Sequence, residues 1–287
     1  MKFLSFPTVF TLLALAAYAQ PAARVMTYNI HHGEGMDGKV DLDRIVSVIQ
    51  SEQPDIVCLQ EVDVNLERSG GADMPAYLAK KLNMQVIFGP NLGAFGKGYG
   101  NATLTRFETI GHENIPLPRE EGGEQRGCLK TLLKVGQQPL AILNTHLTLE
   151  PQMRKEQAAA ILDQVKEEPA VLAGDLNETS EGPAVQLLLG RLVDTFPGGK
   201  DLAQATSPGG EPLRIDYILA SKELRVLASH VVSHEQAQAA SDHLPYVVEL
   251  SLGPPPETAA DRGVYDVEDE RVEEAIAEGI LEQPSNR

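Results

Sequence analysis

An apolar run, Val171-Leu172-Ala173, ends abruptly in Gly174-Asp175-Leu176-Asn177. A buried strand that stops at a glycine, a carboxylate and a carboxamide can point Asp175 and Asn177 into one cleft. Three other apolar runs stop in polar groups: at Gln60-Glu61, at Asn144-Thr145-His146, and at Arg214-Ile215-Asp216, with Ser241-Asp242-His243 further on. So many polar groups at strand ends predict one shared site. Carboxylates, carboxamides and imidazoles gathered in this way suit proton transfer to or from water and the binding of a hard divalent cation.

The elements that must position these groups are legible in the hydrophobic pattern. Strand-like runs occur at 24–30, 56–59, 85–88, 102–105, 128–135, 140–147, 170–173, 213–219, 226–232 and 246–250. Helical spacing appears between them. Asp41 can cap a helix carrying Leu42, Ile45, Val46 and Ile49 that Pro54 stops, and a second helix runs from Pro151 to about Val165. Shorter helices are predicted at Pro75 to Leu82 and Pro183 to Leu189. The connection around Val135-Gly136-Gln137-Gln138-Pro139 is too short for a parallel crossover and requires an antiparallel hairpin. The expected fold is therefore an α/β domain with mixed sheets and helices on its outer faces.

Composition bounds the rest. Lys2, the apolar stretch Val9 to Ala17 and the small-residue site Ala17-Tyr18-Ala19 read as an export signal over residues 1–19, placing the mature chain outside the cytoplasm, secreted or periplasmic. That stretch falls short of the roughly 20 residues a membrane span needs, and no later segment reaches that length. Residues 20–252 form one expected domain, and 253–287 form a Pro-rich linker and an acidic tail in which Val272, Ile276 and Ile280 are spaced for a short helix. Cys58 and Cys128 sit in apolar runs, where a thiol packs as a small hydrophobe, although a single disulfide is also open to them. Net charge is -17, with -7 in the tail and -11 over residues 20–252. The chain has no Lys/Arg cluster of the kind that grips a polyanion, which weighs against nucleic acid. A monomer is expected.

Taken in order, Met26-Thr27-Tyr28-Asn29-Ile30, Leu59-Gln60-Glu61-Val62, Gly100-Asn101-Ala102-Thr103-Leu104-Thr105-Arg106, Asn144-Thr145-His146-Leu147, Gly174-Asp175-Leu176-Asn177, Arg214-Ile215-Asp216-Tyr217-Ile218-Leu219 and Ser241-Asp242-His243 resemble the endonuclease/exonuclease/phosphatase superfamily. The resemblance spans about Arg24 to Leu250. It implies a DNase I-like four-layered α/β sandwich, with two mixed sheets face to face and helices outside, and a metal-dependent cut of a phosphoester. Under it, Glu61, Asn29 and Asp242 are the ligands of Mg2+ or Mn2+, hard oxygen donors for a hard cation. Asp175 orients and deprotonates the attacking water while Asn177 holds phosphate or water. His243 bonds the phosphoryl oxygens, Asp216 fixes its tautomer, and His146 binds phosphate or protonates the leaving oxygen. Taken singly, these residues have plainer readings, such as caps, turns, solvated charges and a core histidine.

Asn101, Arg68, Arg126 and His31 are candidate substrate contacts; the two arginines lie in glycine-rich loops and can clamp a phosphate bidentately. His31 and His32 are adjacent, and strand neighbours face opposite ways, so at most one is expected to reach the site. Arg106 is expected to pair within the fold. The stretches His31 to Gly38 and Glu61 to Gly71 look like a branch similar to the hydrolase domain of proteins that remodel GPI-anchor lipids. With only 5% aromatic residues, no tryptophan and an acidic balance, the expected enzyme is an exported phosphodiesterase for a small or lipid-linked phosphodiester. The alternatives are an extracellular endonuclease or exonuclease and a catalytically silent binding module.

Overall fold

The computed structural model describes residues 22–94, 96–196, 205–209 and 212–253. The export signal expected over 1–19 and the tail from 254 onward lie outside the described residues. In chain order the elements are β1 (Ala22–Asn29), α1 (Leu42–Glu52), β2 (Ile56–Val64), α2 (Met74–Leu82), β3 (Gln85–Ala94), β4 (Lys97–Thr105), β5 (Glu108–Pro116), β6 (Gly127–Val135), β7 (Gln138–His146), α3 (Pro151–Leu162), β8 (Ala170–Asp175), α4 (Pro183–Leu189), β9 (Val193–Asp194), β10 (Asp216–Ala220), β11 (Arg225–Val231), α5 (Glu235–Ala240) and β12 (Tyr246–Ser251).

Two open six-stranded sheets result, ordered β11-β12-β1-β2-β4-β3 and β5-β6-β7-β8-β10-β9. Each is built the same way around its centre. A parallel pair, β1 with β2 or β7 with β8, is flanked by antiparallel neighbours, β12 and β4 or β6 and β10. Parallel pairing needs a long crossover, and α1 and α3 supply it. Asp41 caps α1 as expected, accepting from the N–H groups of Asp43 at 3.0 Å and Arg44 at 3.3 Å. The helix closes at Gln53, whose φ of 50° is left-handed, just before Pro54. β6 and β7 form the expected hairpin, with Val135 opposite Gln138.

Side chains sort the layers. Val25, Ile56, Cys58, Leu140, Ile142, Val171 and Ala173 fill the space between the sheets. The alternate residues Met26, Tyr28, Val57 and Leu59 face α1, α2 and α5, and Ala141, Leu143, Ala170 and Leu172 face α3 and α4. Strands buried on both faces read as continuous apolar runs, which is why they are visible in the sequence. Cys58 and Cys128 are both free and buried, and burial pushes the Cys128 thiol up to about 12. No helix among the described residues is long and apolar enough to cross a membrane.

Toward one end the space between the sheets turns polar. Gln60 Nε2 donates to Thr27 Oγ1 at 3.2 Å, to the Cys58 carbonyl at 3.0 Å and to Asn144 Oδ1 at 2.9 Å. Asn144 Nδ2 in turn donates to the carbonyls of Leu59 at 3.2 Å and Ala102 at 2.9 Å. Asn101 Nδ2 reaches the carbonyls of Gly127 at 3.0 Å and Asn144 at 3.4 Å. These bonds join β2 and β4 of one sheet to β6 and β7 of the other, so they fix how the sheets slide against each other.

Several elements depart from the sequence pattern. β2 does not stop at Gln60-Glu61. A bulge between Leu59 and Val62 carries the strand on to Val64 and leaves Glu61 at φ 59°, re-aiming one side chain within a continuing ladder. β5 is an edge strand whose residues are exposed or half-exposed, and α5 buries only Ala237 and Ala240. Neither needs an apolar run, so neither announces itself.

Replacing Asn144 with alanine strips partners from Gln60 and from two buried carbonyls. A loss of about 3 kcal/mol in stability is expected, read from urea unfolding of the parent and variant.

Candidate active site

The topology puts every polar strand end at one edge. Parallel β1 and β2 finish there, and so do β7 and β8. The antiparallel strands β10 and β12 begin there, delivering Asp216 and the loop Ser241-Asp242-His243. Asp216 lies opposite Asp175 and Tyr246 opposite Thr27 in the ladders. Gly174 lets β8 close against β7: its φ is +155°, and a Cβ there would sit 1.9 Å from the Thr145 carbonyl oxygen. Glycine is therefore required at the step that sets Asp175 beside His146.

Asp175 is the hub. Its Oδ1 accepts the Asn177 backbone N–H at 2.8 Å. Its Oδ2 accepts Asn29 Nδ2 at 3.1 Å and lies 3.4 Å from His146 Nε2 and 3.7 Å from His243 Nε2. Burial, then the nearby Asp216 charge, raises the Asp175 pKa to about 7, with His243, Asn177 and Asn29 pulling the other way. A carboxylate poised there can take a proton at neutral pH.

His243 Nδ1 lies 2.8 Å from Asp216 Oδ2. Burial disfavours the imidazolium, but the charge and hydrogen bond of Asp216, followed by Asp175 and Asp242, outweigh it and raise the pKa to about 10. Asp216 is held in turn, since Thr206 Oγ1 accepts the backbone N–H groups of Ile215 at 3.1 Å and Asp216 at 3.0 Å. Ser241 Oγ donates to the Asn29 carbonyl at 2.8 Å, pinning the loop to the end of β1. His146 has the opposite environment. Burial, then the charges of Arg126 and His243, push its pKa well below the ordinary value. The ring is neutral, and its Nε2 lies 3.0 Å from Asn177 Nδ2. The two imidazoles thus sit in opposed environments, one favouring the charged form and the other the neutral form.

Asn29 joins the two halves of the site. Its Nδ2 donates to Glu61 Oε1 at 3.1 Å as well as to Asp175, and its Oδ1 accepts the His31 N–H at 3.1 Å. His31 Nδ1 is 3.9 Å from Asp242 Oδ1. The expectation that His31 and His32 face opposite ways fails because there is no strand at that point. They lie in a 3-10 turn, both at φ 43°. One ring nitrogen of each lies within 4.8 Å of a Glu61 carboxylate oxygen.

Three predicted substrate contacts have neighbours of their own within the fold. The Asn101 amide N–H groups are spent on the buried carbonyls between the sheets. Arg68 forms a bidentate pair with buried Asp63 at 2.8 and 2.7 Å, and its guanidinium lies over the Tyr99 ring. Arg126 lies 3.2 Å from Glu124, largely buried, with its charge felt at His146. Arg106 pairs within the fold, donating to the Pro54 carbonyl at 3.3 Å. Sequence reasoning missed Glu178 and Arg154. Glu178 accepts from Arg154 Nε at 3.1 Å and from the N–H groups of Ala184 at 2.6 Å and Val185 at 3.0 Å, anchoring the loop after Asp175 to α3 and α4. Only its position, Asp175 plus three, could have hinted at it.

Asp175, Asp216 and Asp242 thus gather around one imidazolium, and Asn29 links Glu61 to Asp175. Hard oxygens carrying excess negative charge fit a divalent cation, so Glu61, Asp242 and Asn29 suit that group chemically. A cavity of about 390 Å3 has a lining that includes Leu66, Arg68, Leu92, Tyr99 and Glu124. Burial, then the Glu61 charge, raises the pKa of its Tyr99 hydroxyl.

The Endonuclease/Exonuclease/phosphatase family model matches residues 26–243, a span that begins in β1 and ends at His243. No curated protein matches the chain. Among solved structures, an endonuclease/exonuclease/phosphatase from Beutenbergia cavernae DSM 12333 is 30% identical, with 83% of this chain and 74% of that chain covered and a TM-score of 0.70. One from Bacteroides vulgatus is 20% identical over 80% of this chain and 99% of that one, with a TM-score of 0.67. The human Nocturnin catalytic domain with bound sulfate anion is 22% identical over 80% and 93%, with a TM-score of 0.64. The last two are similar in fold. With its family motifs gathered at one edge of a two-sheet sandwich, this chain belongs to the endonuclease/exonuclease/phosphatase family, whose members hydrolyse phosphoesters.

Proposed function

We propose that this protein is an exported, divalent-cation-dependent phosphodiesterase acting on a small or lipid-linked phosphodiester. The observation that carries the reading is the contact chain Glu61–Asn29–Asp175–His243–Asp216, which sets a candidate cation ligand, a candidate base and a charged acid side by side. Export is supported by the N-terminal sequence, and one chain supplies every side chain that this reading uses.

In this reading Asp175 orients the attacking water and takes its proton. His243, held charged by Asp216, bonds the phosphoryl oxygens and gives a proton to the departing one. Asn177, fixed by the His146 ring and the Leu147 carbonyl, holds the water or phosphate. Glu61, Asp242 and Asn29 would hold Mg2+ or Mn2+, which supplies a Lewis acid that neutralises charge on the phosphate. The cavity lined by Leu66, Leu92 and Tyr99, the last of which feels the Glu61 charge, favours an organic group over a polyanionic strand. The acidic balance of the chain points the same way.

Hydrolysis of a small phosphodiester such as bis(p-nitrophenyl) phosphate is expected to stop with EDTA and return with Mg2+ or Mn2+. Turnover that survives exhaustive chelation would sink the cation assignment. Supercoiled plasmid should stay intact under the same conditions, and nicking lost in Asp175→Asn would make the protein an extracellular nuclease instead.

Asp175→Asn and Asp216→Asn are each expected to lower kcat by about 100- to 10,000-fold. For Asp216, which acts through His243, KM should change little and the melting temperature should hold. A parallel loss of KM and fold would reduce it to a structural residue.

A further inference from the structure

Glu61 has a second set of neighbours besides Asn29 and Asp242. A ring nitrogen of His31, a ring nitrogen of His32 and a Glu61 carboxylate oxygen lie within 4.8 Å of one another. The two imidazoles are oriented by a single residue. The Glu34 carboxylate lies 3.3 Å from His32 Nε2, and the Glu34 backbone carbonyl lies 3.3 Å from His31 Nδ1. Each ring therefore has one nitrogen held as a donor and the other left with its lone pair free. For His32 the free atom is Nδ1. That atom is enclosed, in a residue only 9% exposed, and has no hydrogen-bond partner.

A buried nitrogen without a partner is costly, and a satisfied core histidine would not leave one. The backbone here is unusual as well. His31, His32 and Glu61 all sit in the left-handed region, at φ 43°, 43° and 59°, which non-glycine residues hold only where surrounding structure imposes it. Histidines that ligate a metal characteristically donate their other ring N–H to a carboxylate or a backbone carbonyl, and Glu34 supplies one of each.

We propose that His31, His32 and Glu61 form an imidazole-rich site for a borderline first-row transition cation of the Zn2+ or Co2+ class, adjoining the oxygen-donor site through Glu61. Two nitrogen donors and one carboxylate select such an ion over Mg2+, and three protein ligands leave a position open to water or substrate. The proposal rests on the functional reading above only in taking Glu61 as a cation ligand.

The untagged full-length chain, stripped with chelator, is titrated with Co2+ and followed by its visible d–d absorption. Bands that saturate at one equivalent and are displaced by Zn2+ are expected in the parent. They should be lost in His32→Gln and in His31→Gln, each checked for folding by circular dichroism. Asp242→Asn, on the oxygen-donor side, should keep them. Glu34→Gln retains both imidazoles and should weaken Co2+ binding by about 10- to 100-fold, so it tests the site even if a histidine variant fails to fold. Absence of bands in the parent, or bands unchanged in Glu34→Gln and either folded histidine variant, would overturn the proposal. Mg2+-supported hydrolysis by a chain without Co2+ bands strikes this site alone, and Co2+ bands in a chain without hydrolysis strike the functional reading alone.

Discussion

The bond from Gln60 to Asn144 is the constraint on which the rest depends. Apolar side chains between two sheets resist separation but permit sliding, because burial is non-directional. Amides in that interface do not permit it. Gln60 and Asn144 each have a side-chain partner in the opposite sheet and main-chain partners beside it, and a shift of one residue would leave several buried groups unpaired. Gln60 precedes Glu61, and Asn144 lies two residues before His146. The same pair that registers the sheets therefore sets the separation between Glu61 and His146 across the cleft.

Within that frame, environment separates groups of one chemical type. Asp175 and Asp216 are both buried carboxylates. Asp216 spends one oxygen on His243 and stabilises it as a cation, whereas Asp175 is raised to about 7 by burial and by Asp216 itself. The two imidazoles diverge in the same way. His243, among three carboxylates, holds its proton, while His146, near Arg126 and His243, gives its proton up. Paired groups with opposed environments are the usual basis for dividing acid and base roles.

The sequence made most of this visible, and the exceptions have physical causes. Central strands such as β7 and β8 were legible because both faces are buried, whereas β5 at an edge and α5 with two buried alanines were not. The residues with chemistry to offer stood out as polar groups at the ends of apolar runs, since burying Asp175 or Asn29 needs a reason. Their partners did not stand out. Asp63 takes the N–H edge of the Arg68 guanidinium, and only a bulge in β2 aims Glu61 into the cleft. Left-handed backbone at His31 and His32 carries no residue signature, because glycine would have been the expected occupant. Glu178 looked like any surface acid until α4 turned its N–H groups toward it.

The first and last described strands lie side by side. β1, the first described strand, is paired along its length with β12, the last, from Ala22 opposite Ser251 to Thr27 opposite Tyr246. Asp242 and His243 reach the cleft only when that closing strand slots between β1 and β11. A ribosome that has delivered every strand up to β11 has therefore not yet fixed Asp242 and His243 at the cleft. Truncation into β12 therefore removes the pairing that holds Asp242 and His243 at the cleft, however intact the other strands remain.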